Sequence, residues 1–424
     1  MKFFVRTALP LCLFACTGGT VGGDEVNPEG GQGGTLETSM GSTGGSTISS
    51  TGGTVGEPSG GAGGTGGTGG SSTGGAGMTG GTTQMATGGS GGVATGGTPG
   101  PVGDAIVPMF VAIGKVSRTT VSCDDGRTWI ANKSSNDSAR CWQGGGPECD
   151  HHEGSGTALA YGNGVFIANF GWGSPGKRWR SEDGVTWNPI PNITETLGGM
   201  AFVNGRFVGG AGRPPVSTDG GKTWTYASEA NFGSHIRKMG SSPYNGGKIV
   251  MMGDAPLMAS ATGSGFVRPA GLPSACVTNA IGTVSGNDVT IAYGGKGDIC
   301  STTDGGTTWT HRKLSFGISA AAFAGGSFLA YSDDRVHRSA NGVDWTTAAT
   351  QPPGLRLEQV AASDKGTLVG VHQSWGNYYD KQVFYRSTDG VRWTALPKTN
   401  YAASHPITYI AFGHGKPSAA CPAP

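Results

Sequence analysis

One short phrase recurs along the chain and constrains its fold more than any other feature. It joins a Ser or Thr, an Asp, one or two glycines and a closing Trp, as in STDGGKTW at 217–224. Five clear copies, a weaker copy (SANGVDW) and a remnant (SATGSGF) have closing aromatics 58, 37, 42, 43, 36 and 48 residues apart. A period of about 40–50 residues indicates a propeller or a solenoid. The closing aromatics are Trp129, Trp187, Trp224, Phe266, Trp309, Trp345 and Trp393.

Each copy predicts a hairpin turn. The hydroxyl and the carboxylate can accept hydrogen bonds from backbone N–H groups just ahead of them. The glycines supply the positive φ of a tight turn, and the Trp restarts a strand with a large side chain to bury. We therefore predict structural rather than catalytic roles for the five repeated aspartates, which are Asp124, Asp183, Asp219, Asp304 and Asp389.

A second half-motif precedes most of these turns. ALAYGNGVFIANFG at 158–171 is one example, with two apolar strands around a Gly/Asn turn. Together with the strands that flank the repeated phrase, it makes four strands per repeat, which is one propeller blade. We predict an all-β, seven-bladed β-propeller of four-stranded antiparallel blades. Six blades is the alternative if the remnant does not form one.

The two ends of the repeat region complement each other. MFVAIG at 109–114 matches the second strand of the later repeats, but no first strand precedes it. The missing strand is found at the other end of the chain, as ITYIAFGHG at 407–415. We predict that this C-terminal strand closes the first blade, because closure removes exposed sheet edges.

The phrase Ser-x-Asp-x-Gly-x-Thr-Trp resembles the Asp box, or BNR repeat. Asp boxes occur in sialidases, in the Vps10 receptor family, in the photosystem assembly factor family and in exported bacterial proteins. The resemblance covers about residues 104–418 and implies a sialidase-like propeller. It says little about activity, because the boxes of that family lie on the face away from the active centre.

The N-terminal 103 residues are of a different kind. Residues 1–16 have a basic start and a short apolar run, which predicts a secretory signal. Leu13-Phe14-Ala15-Cys16 resembles a bacterial lipobox, so Cys16 is the expected lipidation site; an ordinary signal peptide with a chance Cys is the alternative. Residues 17–103 are rich in Gly, Ser and Thr and predict a disordered linker, before a propeller at 104–424. We expect an exported protein, lipid-anchored to the bacterial outer membrane or cell surface.

Six cysteines lie beyond Cys16, and an even number in an exported protein suggests disulfides. Fifteen pairings are open. The favoured set is Cys141–Cys149 closing a local loop, Cys276–Cys300 within one blade, and Cys123–Cys421 fastening the C-terminal tail to the first blade.

Charge excludes one class of partner. The chain has 29 Lys and Arg against 28 Asp and Glu, with no basic run, so we expect no nucleic-acid binding. We predict no cofactor. The expected partner is a glycan or an envelope or extracellular protein. We expect a monomer that contacts the membrane only through its lipid anchor.

The resemblance implies that a ligand binds on the face opposite the repeated turns, and function generally lies on variable loops such as those of that face. The longest connection, 131–157, ends in Asp150, His151, His152 and Glu153. His151, His152 and Glu153, with His372, are the candidate catalytic residues. A divalent metal at the same cluster and a solvated loop end are the alternatives.

Aromatic and polar residues in the loops of that face suit the binding of sugar rings. The alternative is that these side chains plug the funnel and pack blades together. Arg178, in the loop that follows Trp172, belongs to the same face. The candidate ligand-binding residues are Trp142, Asp150, Trp172, Arg213, His235, Arg237, Asp254, Arg356, Trp375 and Tyr378.

Three functional hypotheses follow. The first is a surface-anchored module that binds a glycan or a protein. The second is a glycan-active enzyme, either a polysaccharide lyase or an exo-glycosidase of sialidase-like fold. The Arg-Ile-Pro motif of sialidases is absent, and the first blade reads IVPMFVAIG instead. The third is an assembly or scaffold factor of the envelope.

Overall fold

A computed structural model shows an all-β protein built from antiparallel sheets arranged as a β-propeller. Each repeat of the sequence forms one sheet, and consecutive strands pair as hairpins. The described residues are 106–114, 118–133, 155–171, 176–193, 195–211, 213–226, 236–242, 248–253, 257–259, 272–278, 281–351, 355–372, 384–397, 399 and 407–423.

Six sheets have four strands, and we name each blade after the Trp that closes its repeated turn. Strand order within a blade follows the chain, except in the Trp129 blade. The Trp129 blade contains β27 (Ile407–Gly415), β1 (Val107–Gly114), β2 (Thr119–Ser122) and β3 (Ile130–Lys133). The Trp187 blade contains β4 (Gly156–Gly162), β5 (Val165–Phe170), β6 (Lys177–Ser181) and β7 (Asn188–Pro189). The Trp224 blade contains β8 (Met200–Val203), β9 (Arg206–Gly209), β10 (Pro215–Ser217) and β11 (Thr225–Tyr226).

A three-stranded sheet comes next along the chain, and three further four-stranded blades follow it. That sheet contains β12 (Ile236–Ser242), β13 (Lys248–Gly253) and β14 (Leu257–Ala259), and the short helix α1 (Ser274–Thr278) comes after it. The Trp309 blade contains β15 (Gly282–Gly286), β16 (Val289–Tyr293), β17 (Asp298–Thr302) and β18 (Thr310–Lys313). The Trp345 blade contains β19 (Ala320–Ala324), β20 (Ser327–Tyr331), β21 (Arg335–Ser339) and β22 (Thr346–Thr350). The Trp393 blade contains β23 (Gln359–Ala362), β24 (Leu368–Val371), β25 (Phe384–Ser387) and β26 (Thr394–Ala395).

The blade architecture agrees with the prediction, and the blade count agrees only in part. The sequence predicts seven four-stranded blades, whereas the described residues form six of them and one three-stranded sheet. The remnant phrase at 260–266 follows β14 directly and lies outside the described residues. The difference therefore arises at the one repeat whose Asp and Trp have both been lost.

The predicted closure of the ring by the C-terminal strand is confirmed. β27 pairs antiparallel with β1, in a register that sets Val107 opposite Gly415 and Val111 opposite Ala411. The innermost strands contact one another in the cyclic order β27, β4, β8, β12, β15, β19, β23 and back to β27. Both faces of each inner strand are thus covered by neighbouring blades.

That covering explains the sequence of the inner strands. β4, β5, β20 and β27 read as nearly continuous apolar runs because both of their faces are buried. The fourth strands, by contrast, are mostly exposed and polar, as in β18 (THRK) and β22 (TTAAT). The core of the molecule therefore lies between blades, near the axis of the ring.

The repeated phrase forms the turn between the third and fourth strands, which we call the repeat turn. In the Trp224 blade, Asp219 Oδ1 accepts hydrogen bonds from the N–H groups of Lys222 and Thr223, both at 3.0 Å. Ser217 Oγ donates to Asp219 Oδ1 at 2.8 Å and accepts from the Gly221 N–H at 2.9 Å. The carboxylate thus satisfies the backbone of its own turn, which is a structural role.

The glycines of the repeat turns also seat each blade against the one before it. Gly221 has φ +84°, and a Cβ added there would overlap Ile167 in the second strand of the preceding blade. A Cβ added at Gly342 would lie 2.7 Å from Ile291, again in the preceding blade. The glycine is therefore required both by the backbone conformation and by the close packing of blades.

Because the repeat turns depend on ionised aspartates, we expect the free energy of unfolding to decrease in acid. Burial would raise the pKa of Asp219, but hydrogen bonds from Thr223, Ser217 and the Lys222 N–H outweigh it and lower the pKa to about 2. A carboxyl whose pKa is depressed in the folded state stabilises the fold above its unfolded pKa, about 3.9, and that contribution is lost as the pH falls towards the folded value. We expect the denaturant midpoint to be steady from pH 7 to 5 and to fall between pH 4 and 2. In Asp219→Asn this fall should be smaller, and an identical pH profile in the variant would contradict the assignment.

An extra carboxylate fastens the ring where it closes. Asp125 occupies the turn position that is Gly220 or Gly305 in other copies, with φ 61°. Its carboxylate accepts hydrogen bonds from Ser363 Oγ (2.9 Å), Thr367 Oγ1 (2.6 Å) and Arg386 Nη2 (2.8 Å), all in the Trp393 blade. A cavity of about 210 Å³ lies beside this contact, floored by Phe110 and Phe412. We assign these residues to the closing seam, because the contacts of Asp125 join the last blade to the first.

Two of the three predicted disulfides are confirmed. Cys123–Cys421 joins the first repeat turn to the C-terminal tail, and Cys276–Cys300 joins α1 to β17, with Cα atoms 5.7 and 5.8 Å apart. Cys141 and Cys149 lie outside the described residues, so their pairing stays a prediction.

Across the described ranges, no helix has the length and apolar character needed to span a membrane.

Candidate functional site

Most of the predicted site residues fall outside the described part of the chain. Arg237 lies in β12, where only the backbone is described. The hypothesis of a histidine-based catalytic site and the alternative of a metal at the same loop therefore both stay predictions. The residues outside the described ranges are Cys16, Trp142, Asp150, His151, His152, Glu153, Trp172, His235, Asp254, Trp375 and Tyr378.

Three predicted candidates are described, and the structure does not gather them into one site. Arg213 precedes β10 in the Trp224 blade, whereas Arg356 and His372 flank the inner strands of the Trp393 blade. Those two blades are not neighbours in the ring. Arg356 Nε lies 3.3 Å from Glu358 Oε1, so its charge is paired locally.

Arg213 belongs instead to a charged cluster between the Trp187 and Trp224 blades. Arg178 Nη2 donates a hydrogen bond to Glu195 Oε1 at 2.9 Å, and the Tyr226 hydroxyl donates to Glu195 Oε2 at 2.6 Å. The guanidinium carbon of Arg213 lies 5.5 Å from the centroid of the Tyr226 ring. We call Arg178, Glu195, Arg213 and Tyr226 the Tyr226 cluster.

The strand order places this cluster towards the face opposite the repeat turns. Arg178 is the second residue of β6, a strand that starts at that face and runs down to its repeat turn. Tyr226 pairs with Pro215, the first residue of β10, at the same end of the next blade. Glu195 lies in the connection from β7 to β8, which also runs across that face. Elements of two blades and their connection therefore meet at the cluster.

Arg178 is the buried anchor of the cluster. The residue is 1% exposed, its Nε lies 3.3 Å from Asn169 Oδ1, and its guanidinium carbon lies 4.1 Å from the Trp224 ring centroid. Burial lowers the pKa of Arg178, while the charge and hydrogen bond of Glu195 oppose that change. A buried cation requires such a partner, because an unpaired buried charge is strongly destabilising. Glu195 is thus held in one position by the charge beneath it.

The outer half of the cluster is open to solvent and has a defined protonation state. Burial would raise the pKa of Glu195, but the hydrogen bond from Tyr226 and the charge of Arg178 lower it below its usual value. Burial and the hydrogen bond to Glu195 raise the pKa of Tyr226. At neutral pH the cluster therefore presents a carboxylate, a protonated phenol whose residue is 45% exposed, and the exposed Arg213 guanidinium.

Sequence reasoning passed over two members of this cluster. Glu195 lies between two repeats and belongs to no motif, and Tyr226 follows the closing Trp224 at the start of a strand. No local pattern links positions 178, 195, 213 and 226. The only signal was the repeat period, which places residues 178 and 226 on the third and fourth strands of successive blades.

A protein-bound metal is not indicated by the described part of the chain. Within those ranges, no group of three or more His, Cys, Asp or Glu side chains could hold an ion. The Tyr226 cluster itself supplies a single carboxylate, whose two oxygens are both hydrogen-bonded.

No protein-family model matches the chain, and no curated protein matches its sequence. Among solved structures, YCF48 bound to D1 peptide is 15% identical over 59% of this chain and 83% of its own, with a TM-score of 0.43. The GH74 xyloglucanase from Xanthomonas campestris is 11% identical over 70% and 68%, with a TM-score of 0.43. Apo AztD from Citrobacter koseri is 10% identical over 74% and 100%, with a TM-score of 0.42. These proteins are also β-propellers, and none of them fixes a ligand or an activity for this chain.

Proposed function

We propose that this protein is a surface-displayed binding module whose propeller recognises a glycan through the Tyr226 cluster. The observation that carries the proposal is the Tyr226 ring, which is partly exposed to solvent yet held in place by its hydrogen bond to Glu195. An exposed aromatic ring offers an apolar surface for the C–H face of a sugar. Glu195 and Arg213 beside it offer an acceptor and donors for hydroxyl groups.

The protonation states of the cluster are compatible with ligand binding. A raised pKa keeps the Tyr226 phenol protonated, so at neutral pH it presents a hydroxyl group rather than a phenolate. A lowered pKa keeps Glu195 ionised, so it has no proton to give to a leaving group. Both of its oxygens are hydrogen-bonded, one to Arg178 and one to Tyr226. These groups can orient a ligand, and Glu195 offers no proton for the leaving group of a hydrolysis.

The proposed anchor fits the position of the cluster. The second strand of a blade starts at the repeat-turn face, so the chain preceding β1 enters the Trp129 blade on that face, where Ile106 is 56% exposed. A lipid on Cys16 and a disordered segment at 17–103 would therefore tether the propeller from the side that carries its repeat turns. The Tyr226 cluster lies towards the opposite face, clear of that attachment point.

Replacing Tyr226 tests the proposed function. We use the full chain carrying Cys16→Ser, which removes the proposed lipidation site, and measure retention by immobilised polysaccharides of a neutral and acidic panel. Tyr226→Ala should weaken binding of the retained polysaccharide about tenfold or more, which corresponds to about 1.4 kcal/mol. Tyr226→Phe keeps the ring and loses the hydrogen bond to Glu195, so its affinity should lie between those of the parent and Tyr226→Ala.

Ile130→Ala is the matched control, because Ile130 is 40% exposed on the outer strand of another blade. It should bind as the parent does. Equal binding by the parent and Tyr226→Ala would refute the role of the cluster. Release of oligosaccharides during incubation would point to an enzyme, and retention of an envelope protein but no polysaccharide would point to a scaffold.

We also infer that the three-stranded sheet is a seventh blade. Its innermost strand, β12, contacts those of both neighbouring blades, and the remnant phrase follows β14 where the other blades have their repeat turn. Residues after 266 would then supply the fourth strand. An experimental structure with a fourth strand paired to β14 would agree, and one with β14 as a free outer edge would not.

A further inference from the structure

A second concave surface lies on the outer side of the Trp345 blade, away from the Tyr226 cluster. The connection from β18 to β19 and the strands β21 and β22 enclose a cavity of about 380 Å³. We call it the Phe316 groove, and its principal lining residues are Phe316, Asp334, Arg335, His337, Trp345 and Thr347. A volume of this size is within the range of small-molecule sites in proteins.

The floor of the groove is aromatic and fixed in position. The Phe316 ring stacks on the His337 ring with centroids 3.4 Å apart and an angle of 6° between the planes. His337 is buried, with Ser332 Oγ 3.5 Å from Nε2 and Thr347 Oγ1 3.4 Å from Nδ1. The Trp345 indole N–H donates to the Gly342 carbonyl at 3.2 Å. Rings held in this way lose little conformational entropy when a ligand covers them.

The lining carries no net charge. Arg335 Nε lies 3.2 Å from Asp334 Oδ2, so the two exposed ionised side chains at the rim neutralise each other. Burial, and then the nearby charge of Arg335, lower the pKa of His337, which leaves the imidazole neutral at pH 7. An aromatic floor with a neutral, hydrogen-bonding rim is complementary to an uncharged ligand rich in hydroxyl groups.

We propose that the Phe316 groove binds an uncharged pyranose ring of a polysaccharide, as a second site on the propeller. Phe316 and Trp345 would contact the C–H face of the ring, while Asp334, Arg335 and Thr347 would bond its hydroxyls. The groove shares no residue with the Tyr226 cluster and lies on a different blade. Two separate sites on one propeller increase the avidity for a polymer that reaches both.

The test uses the full chain carrying Cys16→Ser and two defined probes, cellotetraose and maltotetraose. Binding of each is measured by isothermal titration and by the fluorescence of the tryptophans. We expect one of the two to bind, and Phe316→Ala to weaken that binding at least tenfold. Phe316→Tyr, which keeps the ring, should stay within about threefold of the parent.

Two further variants keep the test decisive. Arg335→Ala and Thr347→Val change exposed rim residues, so they test the groove even if Phe316→Ala does not fold. We expect each to weaken binding about threefold or more with an unchanged melting temperature. Ile130→Ala lies outside both proposed sites, so it is the control and should leave tetrasaccharide binding unchanged.

Three results would overturn the groove proposal. They are no binding of cellotetraose at millimolar concentration together with no binding of maltotetraose, binding that Phe316→Ala leaves intact, and binding that both rim variants leave intact. None of these results bears on Tyr226, whose role is judged by its own variants.

Discussion

Deletion of residues 407–424 is expected to prevent the chain from folding into a closed propeller. The deletion removes β27, the innermost strand of the Trp129 blade, which pairs along the whole length of β1. It also removes four large buried side chains, Ile407, Tyr409, Ile410 and Phe412. Burial of each is worth about 1.5–3 kcal/mol, so the four together contribute about 6–12 kcal/mol. That is comparable to the whole free energy of unfolding of a typical domain, about 5–15 kcal/mol. Circular dichroism, gel filtration and thermal unfolding would show the loss.

A shorter deletion provides the control. Removing residues 417–424 leaves β27 intact and takes away only the tail with Cys421, which forms the disulfide with Cys123. We expect this variant to fold with a loss of about 2–5 kcal/mol, the usual cost of a native disulfide. Cys421→Ser should lose a similar amount. If the longer deletion folded as well as the shorter one, β27 would not be the strand that closes the ring.

The second large effect is expected from a single methyl group at Gly162. This residue ends β4, and a Cβ added there would overlap the ring of Phe202 in the first strand of the next blade. Phe202 is buried and cannot move aside without opening the interface between blades. We expect Gly162→Ala to cost about 3 kcal/mol, at the upper end of the range for overpacking a core. Denaturant unfolding of the variant and the parent measures the difference.

Gly295→Ala is the matched control for this substitution. Gly295 also has an ordinary φ, and a Cβ added there meets nothing within 4 Å. The control should therefore be close to neutral. A second check is the double variant Gly162→Ala and Phe202→Leu. The smaller side chain at position 202 should recover part of the stability that Gly162→Ala loses. Similar costs at Gly162 and Gly295 would show that the blades are not packed as closely as we describe.

Gly162 is one of several glycines that pack against an aromatic ring of the next blade. Their role could not be identified from the sequence alone. Gly286 also ends a first strand, and Gly413 lies near the end of β27. Each packs against an aromatic of the next blade, Phe323 and Tyr161 respectively. In the sequence these glycines look like parts of ordinary Gly/Asn turns. Only the stacking of blades shows that they provide flat surfaces for aromatic rings.

The residues of the candidate site could likewise be identified only in part from the sequence. From the sequence, the face opposite the repeat turns was expected to carry the site, and Arg178 and Arg213 could be assigned to it because third strands and the loops before them follow from the repeat. It could not pair Arg178 with Glu195 or Tyr226, since these contacts cross from one blade to the next. The Phe316 groove was missed for the same reason, because Phe316 comes from a connection while His337 and Trp345 come from the blade that follows it.

What the sequence by itself determined is everything that repeats at short range. The phrase around each Trp specifies a turn through its own hydrogen bonds, and the apolar runs specify inner strands. The second strand of the first repeat, which lacks a first strand before it, predicts the closure, and the favoured Cys123–Cys421 pairing agrees with that closure. What only the tertiary structure decided is which side chains of different blades meet. Those contacts depend on how each sheet packs against the next, and packing between blades joins residues that no local pattern connects.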